Sequence, residues 1–174
     1  YGRVRLTPEE RVLDVGSGNG QKARVLTRYL TSGSYVGLDI VKKGVDWCVG
    51  KYKDFSNFKF IHADIRSDWY NPDGAYLDTD YVFPFDDDSF DVIFMASLVT
   101  HILPDAFDNY MKECARVLKK NGRLFFTAYL LRDSRLTDEA LLIQSERFKR
   151  VDHNYAVLDE AFPSRGVAHS EDNV

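Results

Sequence analysis

Gly16, Gly18 and Gly20 stand at alternate positions directly after a short apolar run, Val12-Leu13-Asp14-Val15. Glycine has no Cβ, so such a turn can lie flat beneath a ligand, and a helix that comes after it presents free backbone N–H groups. That arrangement suits a nucleotide-like ligand. Asp14 narrows the choice. A carboxylate below the turn repels a pyrophosphate but helps to hold a cationic amine, which points to a ligand with an amino-acid end. His101, in Ser97-Leu98-Val99-Thr100-His101, is the second residue with chemistry to offer. Its ordinary titration range suits a general base, and a capping or hydrogen-bonded structural histidine is the alternative. His62 reads as structural, and His153 and His169 have no partner that the sequence names. Cys48 and Cys114 lie far apart, fit neither metal-ligand nor disulfide spacing, and read as buried free thiols. No metal is expected.

Positioning these groups requires strands that end where the chemistry begins. Residues 11–15 read as a first strand and 21–30 as a helix whose Ala23, Leu26, Thr27 and Leu30 share a face. Residues 35–40 form a second strand ending in Asp39, and 41–54 an amphipathic helix carrying Val45, Cys48, Val49 and Tyr52. A third strand covers 57–62, with Asp64 just beyond it. Residues 67–88 have no clean period and are rich in aromatic, Asp, Gly and Pro residues, so they read as a long functional loop. A fourth strand spans 89–95, a helix 104–119 and a fifth strand 123–131, with Asn121-Gly122 as the stop between the last two. Beyond it, 136–148 could be a helix, and 156–158 or 166–168 a short strand. Strands alternating with helices imply an α/β fold, a doubly wound parallel sheet with helices on both faces.

The bulk numbers agree with one domain over residues 1–174. The chain has 174 residues, 44% of them hydrophobic and 29% charged, as soluble globular proteins do. A net charge of −4 speaks against a basic nucleic-acid footprint. The longest apolar runs are strand-sized, so neither a membrane span nor a signal peptide is expected, and a reducing cytoplasm is the default. The first residue is Tyr1 rather than Met, as in a fragment.

With the strand ends in view, the chain resembles the class I S-adenosylmethionine-dependent methyltransferases, of the small-molecule type. Val12 to Gly20 carries the family's first motif, Asp39 the acid ending its second strand, and Asp64-Ile65 the third motif. Phe90-Asp91-Val92-Ile93 carries the fourth. The stretch from Glu113 to Leu124 carries the fifth, with Lys120-Asn121-Gly122 where Pro-Gly-Gly is usual. The resemblance implies a Rossmann-like fold and S-adenosylmethionine as cofactor. It implies that Gly16, Ser17, Gly18 and Gly20 approach the methionyl part, with Asp14 neutralising its ammonium directly or through water. Asp39 would accept from both ribose hydroxyls, Ile40 would pack on the adenine, and Asp64 with the Ile65 N–H would meet the adenine edge. Ala96 and Ser97 would border the methionyl end.

The function implied is in-line methyl transfer to a small-molecule acceptor, a sugar or another hydroxyl compound among the candidates, with His101 as the base for an oxygen acceptor. Tyr70, Tyr76 and Tyr81 either cover the acceptor or anchor their own loop. The alternatives are a non-catalytic cofactor-binding module, an aminopropyl transferase, and a nicotinamide oxidoreductase, the last disfavoured by Gly-x-Gly-x-Gly spacing and by Asp14. No nucleic-acid or membrane partner is expected. The family sheet has seven strands and only five are legible, so the C-terminal strands are expected to be missing or irregular, leaving the fifth strand with an open edge.

Overall fold

The computed structural model describes residues 5–131, 142–143 and 146–174. Five parallel strands make the central sheet: β1 (Arg11–Val15), β2 (Ser34–Asp39), β3 (Phe58–His62), β4 (Phe90–Met95) and β5 (Leu118–Phe126), in the order β3-β2-β1-β4-β5. Helix α1 (Gln21–Leu26) joins β1 to β2, α2 (Lys42–Lys51) joins β2 to β3, and α3 (Pro104–Val117) joins β4 to β5.

Side-chain alternation divides the core into two layers. Val12, Tyr35 and Val92 point to one face and pack with Ala23, Leu30, Cys48 and Tyr52 around α1 and α2. Leu13, Leu38, Ile93 and Met95 point to the other and pack with Phe107, Tyr110, Cys114 and Val117 of α3. Because both faces are covered, β1 and β4 read as near-continuous apolar runs, the mark of a buried parallel sheet. Pro104 opens α3, where its fixed φ and missing N–H cost nothing. The doubly wound sheet is therefore as expected from sequence. Strand order reverses between β1 and β4, and in open α/β sheets the crevice outside the strand ends at such a point is where ligands bind.

Three expectations need correction. The fifth strand does not span 123–131 but begins directly after α3, at Leu118. Asn121 sits at φ 65° beside Gly122 in an irregular stretch between the pairings Phe90–Leu118 and Val92–Arg123, so these two residues shape a bulge rather than stop a helix. The chain then leaves the sheet at Thr127. Tyr129–Leu131 (β6) belongs to a second sheet with β9 (Lys149–Arg150), β10 (Tyr155–Val157) and β11 (Val167–Ser170), ordered β6-β11-β10-β9. Both short C-terminal strands considered from sequence are therefore present, but in a separate sheet, and the central sheet stops at β5 as the five legible strands implied. Within the expected helix at 136–148, Leu142–Ile143 (β7) and Glu146–Arg147 (β8) form an antiparallel pair, and residues 136–141 and 144–145 lie outside the described residues.

The second sheet packs against the Val99 turn and α3 through His169. Its ring is fully buried, its Nε2 lies 3.0 Å from the Val99 carbonyl oxygen, and it stands against Phe107 at 5.5 Å between ring centres.

Candidate functional site

A cavity of about 710 Å³ opens at the carboxyl ends of β1, β2 and β4. This lies within the size range of small-molecule pockets, roughly 300–1,000 Å³.

One wall comes from the β1–α1–β2 unit. Gly16, Gly18 and Gly20 all sit in the left-handed region, with φ of 75°, 54° and 74°, which explains the glycine at each position. Gly16 and Ser17 donate to the Leu38 carbonyl at 2.8 and 3.2 Å, and this seats the turn across the end of β2. Gly20 leads into α1 beneath Tyr52, whose hydroxyl donates to the Gly20 carbonyl at 2.9 Å. Gly18 faces the cavity: a Cβ there would find none of the described atoms within 4 Å.

Asp39 ends β2 on the same wall. Its two carboxylate oxygens accept from the Gly18 N–H at 2.6 Å and the Val41 N–H at 2.8 Å. A carboxylate oxygen has two lone pairs, so both can still accept from a ligand's hydroxyls. Leu38, Ile40, Ala63 and Ile65 add an apolar slot beside it.

Ala96 and Ser97 border the cavity past β4. Ser97 is held at φ 59° while its N–H donates to Thr127 Oγ1 at 2.7 Å and its carbonyl accepts from Thr100 Oγ1 at 3.2 Å. A non-glycine residue in this conformation carries strain that the surrounding bonds must hold, as is common at functional sites.

Of the expected cofactor residues, Gly16, Gly18, Asp39, Ile40, Ile65, Ala96 and Ser97 line one cavity, and His101 lines it too. Asp14, Ser17, Gly20 and Asp64 are not among the residues that line it. Asp14 is wholly buried beneath the turn, accepting from the Tyr35 hydroxyl at 2.5 Å and paired with Lys22 at 3.1 Å. Burial pushes its carboxyl up to about 6, with Lys22 and Tyr35 pulling the other way. Asp64 accepts from Asn71 Nδ2 at 3.1 Å.

The remaining wall comes from the aromatic loop, the turn Val99–His101 and one residue from far along the chain. Tyr70, Pro72, Leu77 and Asp78 line it with Ile102, Leu103 and Tyr110. The deeper part of the loop anchors itself. Buried Phe83 donates its N–H to Glu113 Oε2 at 2.7 Å, while Arg116 donates to the Phe83 and Phe85 carbonyls at 3.0 and 2.8 Å. The tyrosines part ways: Tyr70 lines the cavity, and Tyr81 packs on Phe83 and the core.

His101 Nδ1 lies 3.1 Å from the Ser164 carbonyl oxygen, and its ring meets Tyr70 edge-on at 5.1 Å. Burial pulls its pKa below the ordinary histidine value, so the imidazole is neutral at pH 7. Nothing in the sequence singles out Ser164. It sits in Pro163–Arg165, and no local pattern marks a residue that reaches the cavity only through the second sheet.

The profile of a methyltransferase domain family matches residues 13–126. Among curated proteins, phthiotriol/phenolphthiotriol dimycocerosates methyltransferase 1 of Mycobacterium ulcerans is 31% identical over 118 residues, 68% of this chain and 37% of that protein. Fatty-acid O-methyltransferase of Mycolicibacterium smegmatis is 29% identical over 118 residues, 68% of this chain and 36% of that protein. The chain thus spans little more than a third of either. Among solved structures, the YcgJ protein of Bacillus subtilis superposes with a TM-score of 0.51 at 27% identity, covering 71% of this chain and 46% of that one.

Proposed function

Since the chain belongs to the methyltransferase domain family, we propose that its cavity binds S-adenosylmethionine and that the protein transfers a methyl group to a hydroxyl-bearing small molecule or lipid. The observation that carries this reading is the gathering of the glycine turn, the Asp39 carboxylate and an apolar slot on one cavity wall, with His101 on the same cavity.

The residues suit the cofactor. Gly18 admits close backbone approach where a Cβ would protrude, Asp39 keeps lone pairs for two ribose hydroxyls, and Ile40, Ala63 and Ile65 offer flat apolar contact for an adenine. When bound, the cofactor supplies an electrophilic sulfonium methyl group. Asp14 supports the turn from below, so any influence on the ligand's ammonium passes through the turn or through Lys22.

For an oxygen acceptor, a neutral His101 is ready to take the hydroxyl proton. The acceptor wall is mostly apolar, with Leu77, Pro72, Ile102 and Leu103 around Tyr70 and Tyr110. This suits an alcohol on an apolar body, with Arg66, Asp68, Asp78 and Ser164 on the same lining as polar partners. The lipid names of the two curated relatives are in keeping with it. Among the described residues no helix is long and apolar enough to cross a membrane, and two buried free thiols suit the cytoplasmic setting we propose.

Calorimetric titration with S-adenosylmethionine, S-adenosylhomocysteine and NAD⁺ tests the reading. The first two should bind and the third should not. Asp39→Ala should weaken binding by about 1–3 kcal/mol, the cost of unpaired polar partners. Equal affinity in a folded Asp39→Ala protein would overturn the assignment.

A further inference from the structure

We infer that the Pro163–Arg165 turn is a positioning element for the acceptor side of this cavity: the Ser164 main-chain carbonyl fixes His101 as its Nδ1–H tautomer, and the Ser164 side chain ties the turn to the loop that carries Tyr70. The inference rests on the reading of His101 as the base, and it concerns a residue outside the family-matched segment.

The geometry leaves little freedom. A carbonyl oxygen can only accept, so the 3.1 Å contact with Ser164 places the hydrogen on His101 Nδ1 and the basic lone pair on Nε2. Neutral histidine in water favours the opposite tautomer, so the partner has to select this one. Tyr70 does not compete for the role. Its hydroxyl lies 3.4 Å from both ring nitrogens, against the edge between them and too far for a strong bond to either.

Ser164 itself is held by a complete set of partners. Its hydroxyl donates to Asp68 Oδ1 and accepts from Ser67 Oγ at 2.9 Å and the Trp69 N–H at 3.3 Å. Its own N–H donates to the same Asp68 oxygen at 3.2 Å, and Ser67 Oγ accepts from the Tyr70 N–H at 3.3 Å. The flanking residues clamp the turn from outside. Phe162 stands edge-on to Trp69 at 5.4 Å, and the Arg165 guanidinium covers the same ring at 5.5 Å while pairing with Asp159 at 3.2 Å. The bonds of Ser164 to the loop link residues 95 to 97 positions apart, so one short turn joins the second sheet, the aromatic loop and the histidine.

The ionisable groups around His101 are few. The Tyr70 hydroxyl faces it from the loop, Asp68 reaches it only through Ser164, and Arg165 turns its charge to Trp69 and Asp159. The turn therefore acts on the histidine in two opposed ways: covering it lowers its pKa, the backbone contacts of Ser164 and Arg165 raise it, and burial is the larger effect.

Long-range ¹H–¹⁵N spectra of the histidine rings across pH 4.5–8.5, with His101→Gln for assignment, read the tautomer directly. In the unaltered protein at pH 8, Nδ1 should be protonated and Nε2 bare, with a titration midpoint below the ordinary histidine value. In Ser164→Ala combined with Asp68→Ala, the ring should shift to the Nε2–H tautomer and the midpoint should rise. Ser164→Thr, which keeps the hydroxyl, should restore both. An Nε2–H tautomer in the unaltered protein, or an unchanged tautomer and midpoint in a double variant that still unfolds cooperatively, would overturn the inference. If the double variant does not fold, the unaltered protein's tautomer and the Ser164→Ala single variant decide. A parallel S-adenosylhomocysteine titration separates the two readings: no binding with the Nδ1–H signature intact removes the cofactor assignment alone.

Discussion

The two walls of the cavity are held by different kinds of contact. On the glycine side, Gly16 to Leu38, Gly18 to Asp39 and Asp39 to Val41 all close within or beside one strand–helix–strand unit, across 22 positions or fewer. On the proposed acceptor side, His101 meets Ser164 across 63 positions and Asp68 meets it across 96. The first wall is a local device that any chain with the motif can build. The second is completed only when Ser164 arrives from the C-terminal part of the chain. A cofactor site of the first kind can be shared by proteins with different acceptors, because changing the second wall leaves the first intact.

The glycine wall offers the sharpest way to break the contrast. Gly20→Val forces a branched side chain into a left-handed backbone whose Cβ would lie 2.9 Å from Tyr52 and 3.1 Å from Cys48 Sγ. Strain and overpacking together should cost about 3 kcal/mol of stability, read as a lowered urea midpoint. Gly18→Ala has the same backbone problem but open space ahead of it, so it should cost only about 1 kcal/mol of stability. It should instead weaken cofactor binding, since its methyl group stands in the cavity. Equal stability losses for the two variants would show that backbone strain alone sets the turn.

Asp14 supports that wall at a cost that depends on pH. Its carboxyl is raised from 3.8 to about 6 in the folded protein, chiefly by burial. Between these values the folded state holds a proton that the unfolded state has released, so stability falls as pH rises. The contribution is fully present below about 3.8 and gone above about 6, a difference on the order of 2–3 kcal/mol. Asp14→Asn should flatten that part of the stability curve, measured by urea unfolding from pH 4 to 7. A wild-type curve that rises over this window relative to the variant would show Lys22 and Tyr35 outweighing burial.

Legibility in the sequence divides along the same line. The ends of β1 to β4 fall within a residue or so of their expected places, because apolar runs bounded by glycine and acid are local signals. The motif residues on the cavity wall, Gly16, Gly18 and Asp39, are legible for that reason. Asn121-Gly122 reads as a helix stop, and its left-handed backbone is real, but it serves a bulge because Leu118 pairs with Phe90 before it. β6, β10 and β11 are three or four residues long, too short for a period to declare itself, and their pairing is non-local. His169 therefore has no nameable partner in the sequence, although it is buried against Val99 and Phe107. Ser164 shows the same limit in the site itself.

The smallest predicted effect tests whether the two walls are mechanically separate. Asn109, on α3, donates through Nδ2 to the carbonyls of Asp78 and Tyr81 at 3.0 and 3.1 Å, and so pins the acceptor loop beside its cavity-lining stretch. Asn109→Ala should cost about 1 kcal/mol, the usual worth of such bonds. The loss should be local, with faster amide exchange between residues 76 and 82 and no change at Phe83, whose N–H is held independently by Glu113. Affinity for S-adenosylhomocysteine should stay the same, because Asp39 and the glycine turn take their support from β1 and β2. If affinity falls along with loop protection, the acceptor loop also holds the cofactor, and the walls answer to each other as one unit.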